Sequence, residues 1–300
     1  MKRIALIGRG RWGKKIIKTL KGIRGVKLVF VGGRSHLSDL NIAEIDAAII
    51  ASPGSTHVEI ALPLVKKGIP VFIEKPLALS VADTKKFERA AKSKNTKVFV
   101  GHLHLYNPAY LKAKAEVQKL GKIQSIVCEG MSDGPVRDDM SVLWDWGTHD
   151  VYVVLDLLGK MPTSVQAWGK SSRKGKPKIH DFTMSMLHFP GNVDALIVNS
   201  WLSPEKIKRV TITCAKGSVM FEDSAKKKVA VHKGLNTDNP TTQYPPYAKQ
   251  LALDAELRAF IAMLSSSKKP PSNLQNGMNT VVVLEKAEKS MASKGKSVKI

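Results

Sequence analysis

Arg3-Ile4-Ala5-Leu6-Ile7-Gly8-Arg9-Gly10-Arg11-Trp12-Gly13-Lys14 is the stretch on which the fold turns. Ile4 to Ile7 is a short apolar run of the kind that a parallel strand, buried on both faces, requires. It enters Gly8-x-Gly10-x-x-Gly13, and Ile16, Ile17 and Leu20 then recur at helical spacing from Lys14 to Leu20. Strand, glycine turn and helix in that order make a dinucleotide-binding pattern. Gly8 permits the tight turn, Gly10 lets the backbone approach a pyrophosphate, and Gly13 lets the helix pack closely on the strand. The helix N-terminus presents N–H groups and the positive end of its dipole to the phosphates. Arg11 and Trp12, inside the turn, belong to the same expected cofactor surface.

The next segments repeat the alternation of strand and helix. Lys27 to Val31 is a strand ending at Gly32-Gly33-Arg34-Ser35. An NAD site carries a carboxylate roughly 20 residues past the glycines for the ribose hydroxyls. That position falls on or near Gly33, and no acid is present. Arg34 and Ser35 would instead bind a 2′-phosphate by charge-assisted hydrogen bonds, which predicts NADP in preference to NAD. Ser35 to Asp46 is too short for a full crossover helix. Asp46 to Ala51 is a strand ending at Ser52-Pro53-Gly54-Ser55-Thr56-His57, and Val58 to Lys67 is a helix. Val71 to Ile73 runs into Glu74-Lys75-Pro76, Val81 to Lys92 is a helix, and Lys97 to Val100 closes the series before Gly101-His102. Residues 1–101 are thus expected to form a doubly wound Rossmann domain. Its ligand crevice lies at the strand C-termini, where the glycine turn, Arg34, Ser52, Pro53 and Lys75 converge.

Composition limits the rest. Three hundred residues suffice for two domains, and residues 102–300 are expected to form the second. No run of about 18 apolar residues is present, and the N-terminal strand lacks the apolar core and cleavage site of a secretory signal, so a cytoplasmic protein is expected. Cys128 and Cys214 match no zinc or redox spacing and are expected to be buried and reduced. The formal charge is +23. Its lysines are dispersed through Lys14-Lys15-Lys18-Lys21, Lys85-Lys86, Lys92-Lys94-Lys97, Arg173-Lys174-Lys176-Lys178, Lys226-Lys227-Lys228 and Lys294-Lys296-Lys299. With little aromatic interleaving for base stacking, these runs read as a solvated surface rather than a nucleic-acid footprint.

The glycine pattern, Ser52-Pro53-x-x-x-His57, Glu74-Lys75-Pro76, Tyr106-Asn107-Pro108-Ala109 and the stretch Asp145 to His149 together resemble the Gfo/Idh/MocA oxidoreductases. That family includes glucose-fructose oxidoreductase, inositol dehydrogenases and sugar-nucleotide dehydrogenases. The resemblance covers nearly the whole chain. It implies that Lys75, Asp145 and His149 form the catalytic group, with His149 as acid/base. Lys75 would meet the reacting oxygen or the nicotinamide ribose, and Asp145 would contact substrate and tune His149. Ser52, Pro53, His57, Glu74, Lys75 and Pro76 join the glycine turn, Arg34 and Ser35 as expected cofactor contacts.

In the second half, Pro108 to Gly121 is a helix and Ile123 to Glu129 a strand, with Met131 to Met140 an irregular loop near substrate. Asp145 and His149 stand four residues apart, which places them on one helical face. A carboxylate beside an imidazole orients it and stabilises its protonated form, as alcohol oxidation by hydride loss requires of its base. His102, Tyr106, Asn107 and Trp146 are candidate substrate contacts, with packing an equal reading for His102 and Tyr106. His102 and His104 alternate along an extended segment, and nothing completes a metal-ligand set. Ser164 to Val231 alternates strands and turns, predicting an α+β domain with a large, mostly antiparallel open sheet. The resemblance implies that its open face joins copies of the chain as a dimer or tetramer. Gly234 to Pro246 reads as a loop, Tyr247 to Leu264 and Met278 to Ala292 as helices, Ser265 to Pro271 as a loop, and Val298 to Ile300 as an edge strand.

The combined expectation is an NAD(P)-dependent oxidoreductase that interconverts a secondary alcohol and a ketone on a sugar, sugar nucleotide or cyclitol, without a metal. A regulator that binds NADP(H) without turnover and a basic nucleic-acid-binding protein on a Rossmann scaffold are the alternatives.

Overall fold

The computed structural model describes residues 1–172, 179–234, 237–266 and 268–300. The basic run Arg173-Lys174-Lys176-Lys178 therefore lies outside the described residues, as do single positions or pairs in the loops Gly234 to Pro246 and Ser265 to Pro271. The chain divides into two compact units. One comprises Met1–Tyr106 and Gln250–Val281, the other Asn107–Lys249 and Val282–Ile300.

In the first unit, β1 (Lys2–Ile7), α1 (Arg11–Lys21), β2 (Val26–Gly32), β3 (Ala47–Ile50), α2 (His57–Lys66), β4 (Val71–Glu74), α3 (Val81–Ser93) and β5 (Val98–Gly101) follow one another. The five strands are all parallel, in the order β2-β1-β3-β4-β5. Strand order reverses at β1, so the crevice beyond the C-terminal ends of β1 and β3 is the topological switch point, where doubly wound sheets bind ligands. β3, β4 and β5 carry Ile, Val, Ala and Phe at almost every position, as burial on both faces demands. The short link between β2 and β3 holds only two 3₁₀ turns, Arg34–Asp39 and Ile42–Glu44, as its length predicts.

The expected domain boundary after Gly101 differs from the observed division in two places. The 3₁₀ turn Leu103–Tyr106 stays with the first sheet, so His102 and His104 flank and enter a turn rather than an extended segment. Residues 250–281 return to this unit as well. The reason is aromatic packing. Phe72 stacks on Phe99 at 5.2 Å, Tyr106 stacks on Phe99 at 5.5 Å, and Phe260 of α6 (Ala252–Leu264) meets Phe72 and Phe99 edge-on at 5.5 and 5.7 Å. The Lys97 ammonium then donates to the carbonyls of Met263, Leu264 and Ser266 at the end of α6, a C-terminal cap from β5's leading edge.

The second unit holds α4 (Pro108–Lys119), β6 (Ile123–Asp133), a π-turn at Leu143–Gly147 and α5 (Thr148–Leu158). There follow β7 (Ser164–Lys170), β8 (Phe182–Phe189), β9 (Val193–Ser200), β10 (Leu202–Cys214), β11 (Gly217–Glu222), β12 (Val229–Lys233), β13 (Thr241–Gln243) and, after α7 (Leu274–Ala292), which belongs to this unit from Val282 on, β14 (Val298–Lys299). The nine strands run β13-β12-β11-β10-β6-β9-β8-β7-β14 and pair antiparallel except β6 with β9. α4 and α5 cover one face, while side chains on the other alternate to partial exposure. β14 forms the expected edge. β6 runs on to Asp133, four residues past its expected end, because Met131 and Asp133 pair with β10. Tyr247 to Leu251 is not helical. Pro245-Pro246 precedes it, and α6 begins only after Leu251, whose ψ of 135° is not helical. Both cysteines are buried and reduced.

Candidate active site

The candidate residues divide between the units: the glycine turn, Arg34, His57 and Lys75 belong to the first, Asp145 and His149 to the second.

In the β1–α1 turn the three glycines are required for different reasons. Gly8 has φ +127°, and a Cβ there would sit 2.3 Å from the Ala51 carbonyl oxygen, so the two strand ends touch through bare backbone. A Cβ on Gly13 would lie 1.9 Å from the Gly8 oxygen. Gly10 differs: its φ is −67°, and a methyl at its Cα would have no atom of the described protein within 4 Å. Nothing in the described chain demands glycine at this position. A phosphate group drawn against the backbone would. Gly10 caps α1, whose first turn has no side-chain cap and no acid, so its N–H groups are unopposed toward an anion. These residues fit a dinucleotide.

The loop is tied to the end of β4. Trp12 donates its indole N–H to Glu74 Oε1 at 2.5 Å. The Glu74 carboxyl is 8% exposed and lies against Gly101, where a Cβ would come within 3.0 Å of Oε2. Burial pushes this carboxyl up to about 7, against the Trp12 hydrogen bond and the charge of Lys75, which favour ionisation. Glu256 of α6 is fully buried, with no hydrogen-bond partner for either oxygen among the described residues, and burial and Glu74 together hold it well above the usual carboxylate range. Half-buried Lys75 follows Glu74.

His57 is built into the scaffold. Its Nδ1 meets the Pro76 carbonyl at 2.7 Å and its Nε2 the Ser52 carbonyl at 2.9 Å, so one ring joins the loops after β3 and β4. Thr56 donates its hydroxyl to Ser52 Oγ and the Pro53 carbonyl. His57, expected as a cofactor contact, thus engages backbone with both nitrogens. At the end of β2, Arg34 is exposed and pairs with Glu59 at 2.6 Å, while Ser35 Oγ lies 3.0 Å from His36 Nδ1.

In the second unit the π-turn Leu143–Gly147 feeds α5, placing Asp145 and His149 on successive turns of one helical run. Asp145 is 7% exposed and receives Arg137 Nε at 3.1 Å. Arg137 comes from the irregular loop after β6. His149 is half-buried, and its Nδ1 lies 2.9 Å from the Tyr152 hydroxyl one turn on. Asp150 accepts from Asn199 of β9 at 2.6 Å. Gly130 and Gly147 leave room for that amide, since a Cβ on either would come within 2.8 Å of it. Lys208 stands 5.0 Å above the Trp146 ring.

The weaker substrate candidates are held by protein. His102 is 1% exposed, and burial lowers its ring to about 3, leaving it neutral. Tyr106 stacks on Phe99 and bonds Ser272 at 2.7 Å. Asn107 caps α4 through Ala109 N–H and donates to Asp223. Sequence reading misses Arg137, Tyr152, Glu59 and Glu256. The spacing of Tyr152 three residues past His149 is the one signal available.

Comparison with known proteins bears on both units. Residues 34–102 match the family described as "Oxidoreductase family, NAD-binding Rossmann fold", and residues 109–220 match the "GFO/IDH/MocA C-terminal domain". A Magnetospirillum magnetotacticum protein described as an oxidoreductase superposes with a TM-score of 0.84 at 31% identity, covering 95% of this chain and 98% of that one. Inositol 2-dehydrogenase 2 of Paenarthrobacter aurescens is 23% identical over 99% of this chain and 98% of its own length. UDP-N-acetylglucosamine 3-dehydrogenase of Acidithiobacillus ferrooxidans is 29% identical over 77% of this chain and 74% of its own.

Proposed function

This chain belongs to the Gfo/Idh/MocA family of NAD-binding oxidoreductases, and we propose that it interconverts a secondary alcohol and a ketone on a cyclitol, sugar or sugar nucleotide. Gly10 is the observation that carries the reading: it is a glycine that no atom of the described protein requires, at the N-terminus of α1 where a pyrophosphate would approach the backbone. When bound, a nicotinamide dinucleotide supplies the hydride acceptor or donor. The chain's own residues handle position, charge and proton. The α1 N-terminus and the backbone at Gly10 would hold the pyrophosphate. Lys75 brings positive charge to the oxygen that becomes an alkoxide. His149 takes the hydroxyl proton in oxidation and returns it in reduction. Asp145, oriented by Arg137, contacts substrate and favours the imidazolium that His149 becomes.

The preferred cofactor is NADP(H). No carboxylate ends β2, and Arg34 with Ser35, which follow it, would meet a ribose 2′-phosphate with charge-assisted hydrogen bonds. Buried, reduced cysteines suit a cytoplasmic enzyme. The half-exposed apolar row of Trp168, Met184 and Val198, in register across β7, β8 and β9, suits a second copy of the chain on the open sheet face.

The test is a fluorescence titration with NADPH and NADH, followed by a turnover screen of inositols, sugars and nucleotide sugars with His149→Asn and Lys75→Met as controls. NADPH should bind more tightly, Arg34→Ala should erase the difference, and both active-site variants should bind dinucleotide without turning over. Binding of neither dinucleotide sinks the reading. Binding without turnover of any substrate by the unaltered chain favours a regulator, and undiminished turnover by His149→Asn removes the acid/base role.

A further inference from the structure

We propose that Tyr152 is the positioning residue that sets the tautomer of His149, holding Nδ1–H so that the proton exchanged with substrate moves at Nε2. The inference rests on the acid/base reading of His149 given above. Its geometry is local to α5. Tyr152 is 2% exposed, its hydroxyl is 2.9 Å from Nδ1, and its ring meets the imidazole edge-on with centroids 5.6 Å apart.

A tyrosine hydroxyl is ambivalent toward a ring nitrogen. Donating to Nδ1, it would force the proton onto Nε2 and leave His149 unable to accept one there. Accepting from Nδ1–H, it leaves Nε2 with the lone pair that a base needs, and the same hydrogen bond persists once Nε2 is protonated. The contact therefore serves both directions of the reaction only in the accepting sense.

Tyr110 is the second hydroxyl in this neighbourhood, and its own polarity is fixed. Tyr110 of α4 is an electrostatic neighbour of Tyr152, and its hydroxyl donates to Asp156 Oδ2, which also receives the Lys114 ammonium at 2.8 Å. A carboxylate only accepts, so the Tyr110 proton points to Asp156 and its oxygen lone pairs remain as an acceptor for the interior. Burial, then Asp156, holds the Tyr110 hydroxyl protonated far above its ordinary range, which keeps this polarity at any working pH. Two acids share this helical run with His149: Asp145, which receives Arg137, and Asp150, which receives Asn199.

Tyr152→Phe keeps the ring and its packing and deletes only the acceptor. Nitrogen-15 spectra of the imidazole rings, with His149 assigned by His149→Asn, read the tautomer directly and need no substrate. The unaltered protein should show neutral His149 with its proton on Nδ1, and Tyr152→Phe should shift it toward Nε2–H. Tyr110→Phe should shift it in the same direction by less. The imidazolium loses a charge-assisted hydrogen bond in Tyr152→Phe, so the His149 pKa should fall in the same titration. In turnover assays kcat should drop about tenfold or more, with KM for dinucleotide and the melting temperature nearly unchanged. A proton on Nε2 in the unaltered protein, or a tautomer indifferent to Tyr152→Phe, overturns the proposal. A tautomer shift without loss of kcat overturns its link to the reaction. Undiminished turnover by His149→Asn would instead overturn the acid/base reading, while the spectra still decide the Tyr152 contact.

Discussion

Trp12, inside the glycine turn, and Glu74, at the end of β4, are joined by a 2.5 Å hydrogen bond from indole N–H to carboxyl oxygen. The bond links the glycine turn proposed to hold a pyrophosphate to the residue directly before Lys75. Trp12→Phe should keep most of the packing and leave a buried carboxyl short of a donor. Loss of such a bond costs about 1–3 kcal/mol. The expected result is a lower melting temperature and weaker binding of both dinucleotides. A variant whose melting and binding match the unaltered protein would refute the link.

Glu256 predicts a dependence of stability on pH. Burial raises both Glu74, to about 7, and Glu256, so the folded chain holds more protons than the unfolded chain above about pH 4.5, the ordinary glutamate range. The sign follows from a raised folded pKa. This contribution is fully present below the ordinary glutamate range and is lost as pH rises through the raised folded-state values, about 7 for Glu74. Glu256→Met fills the same space without a charge and should stabilise the chain at pH 8 by about 1–3 kcal/mol, with little effect at pH 4. Urea melts at the two pH values read this directly. Equal effects at both would sink the argument.

The glycines at 8 and 10 should separate folding from binding. Gly8→Ala must adopt φ +127° and place its methyl on the Ala51 carbonyl, at a cost of roughly 3 kcal/mol or more. Gly10→Ala meets no atom of the described protein and has an ordinary φ. It should melt like the unaltered chain and bind NADPH at least about tenfold more weakly, because its methyl occupies the phosphate's approach. Calorimetry and fluorescence titration together make the comparison.

The open face of the second sheet makes a prediction about assembly. Leu196 and Val198 of β9 are half-buried on that face, beside Met186 and Met184 of β8. The pair Leu196→Lys and Val198→Lys, introduced together, should convert a symmetric oligomer to monomers without unfolding the unit. Sedimentation equilibrium measures this. A protein that is monomeric before substitution removes the interface from the account.

Local requirements are legible in the sequence, and tertiary ones are not. Gly8 and Gly13 read correctly because a turn's geometry is set within a few residues. The abbreviated link after β2 and the edge strand at Val298 follow from length and alternation. Helix propensity in Tyr247 to Leu251 loses to the preceding Pro245-Pro246 and to an extended Leu251. The return of residues 250–281 to the first unit depends on Phe260 meeting Phe72 and Phe99, contacts more than 150 positions apart in the chain. At the candidate site, His57 and Asn107 match family positions, yet their side chains hold backbone and a helix cap. Tyr152 is hidden because it sits among Val151, Val153 and Val154 and reads as core. Glu256 is hidden because an acid inside a helix ordinarily faces water.

The Arg34–Glu59 pair leads to a prediction that sequence alone could not supply. The guanidinium that would receive a 2′-phosphate is 2.6 Å from a carboxylate on α2, and both side chains are more than half exposed. Screening keeps such a pair weak, at about 0–1 kcal/mol. A bound 2′-phosphate must nevertheless draw Arg34 away from Glu59 or bind beside a negative charge. Glu59→Gln should therefore tighten NADPH a few-fold and leave NADH unchanged, since NADH presents no charge there. The gain should shrink as salt rises, because the interaction removed is an exposed one. Equal effects on the two dinucleotides would mean that Arg34 faces solvent in the complex and that the cofactor preference is set elsewhere.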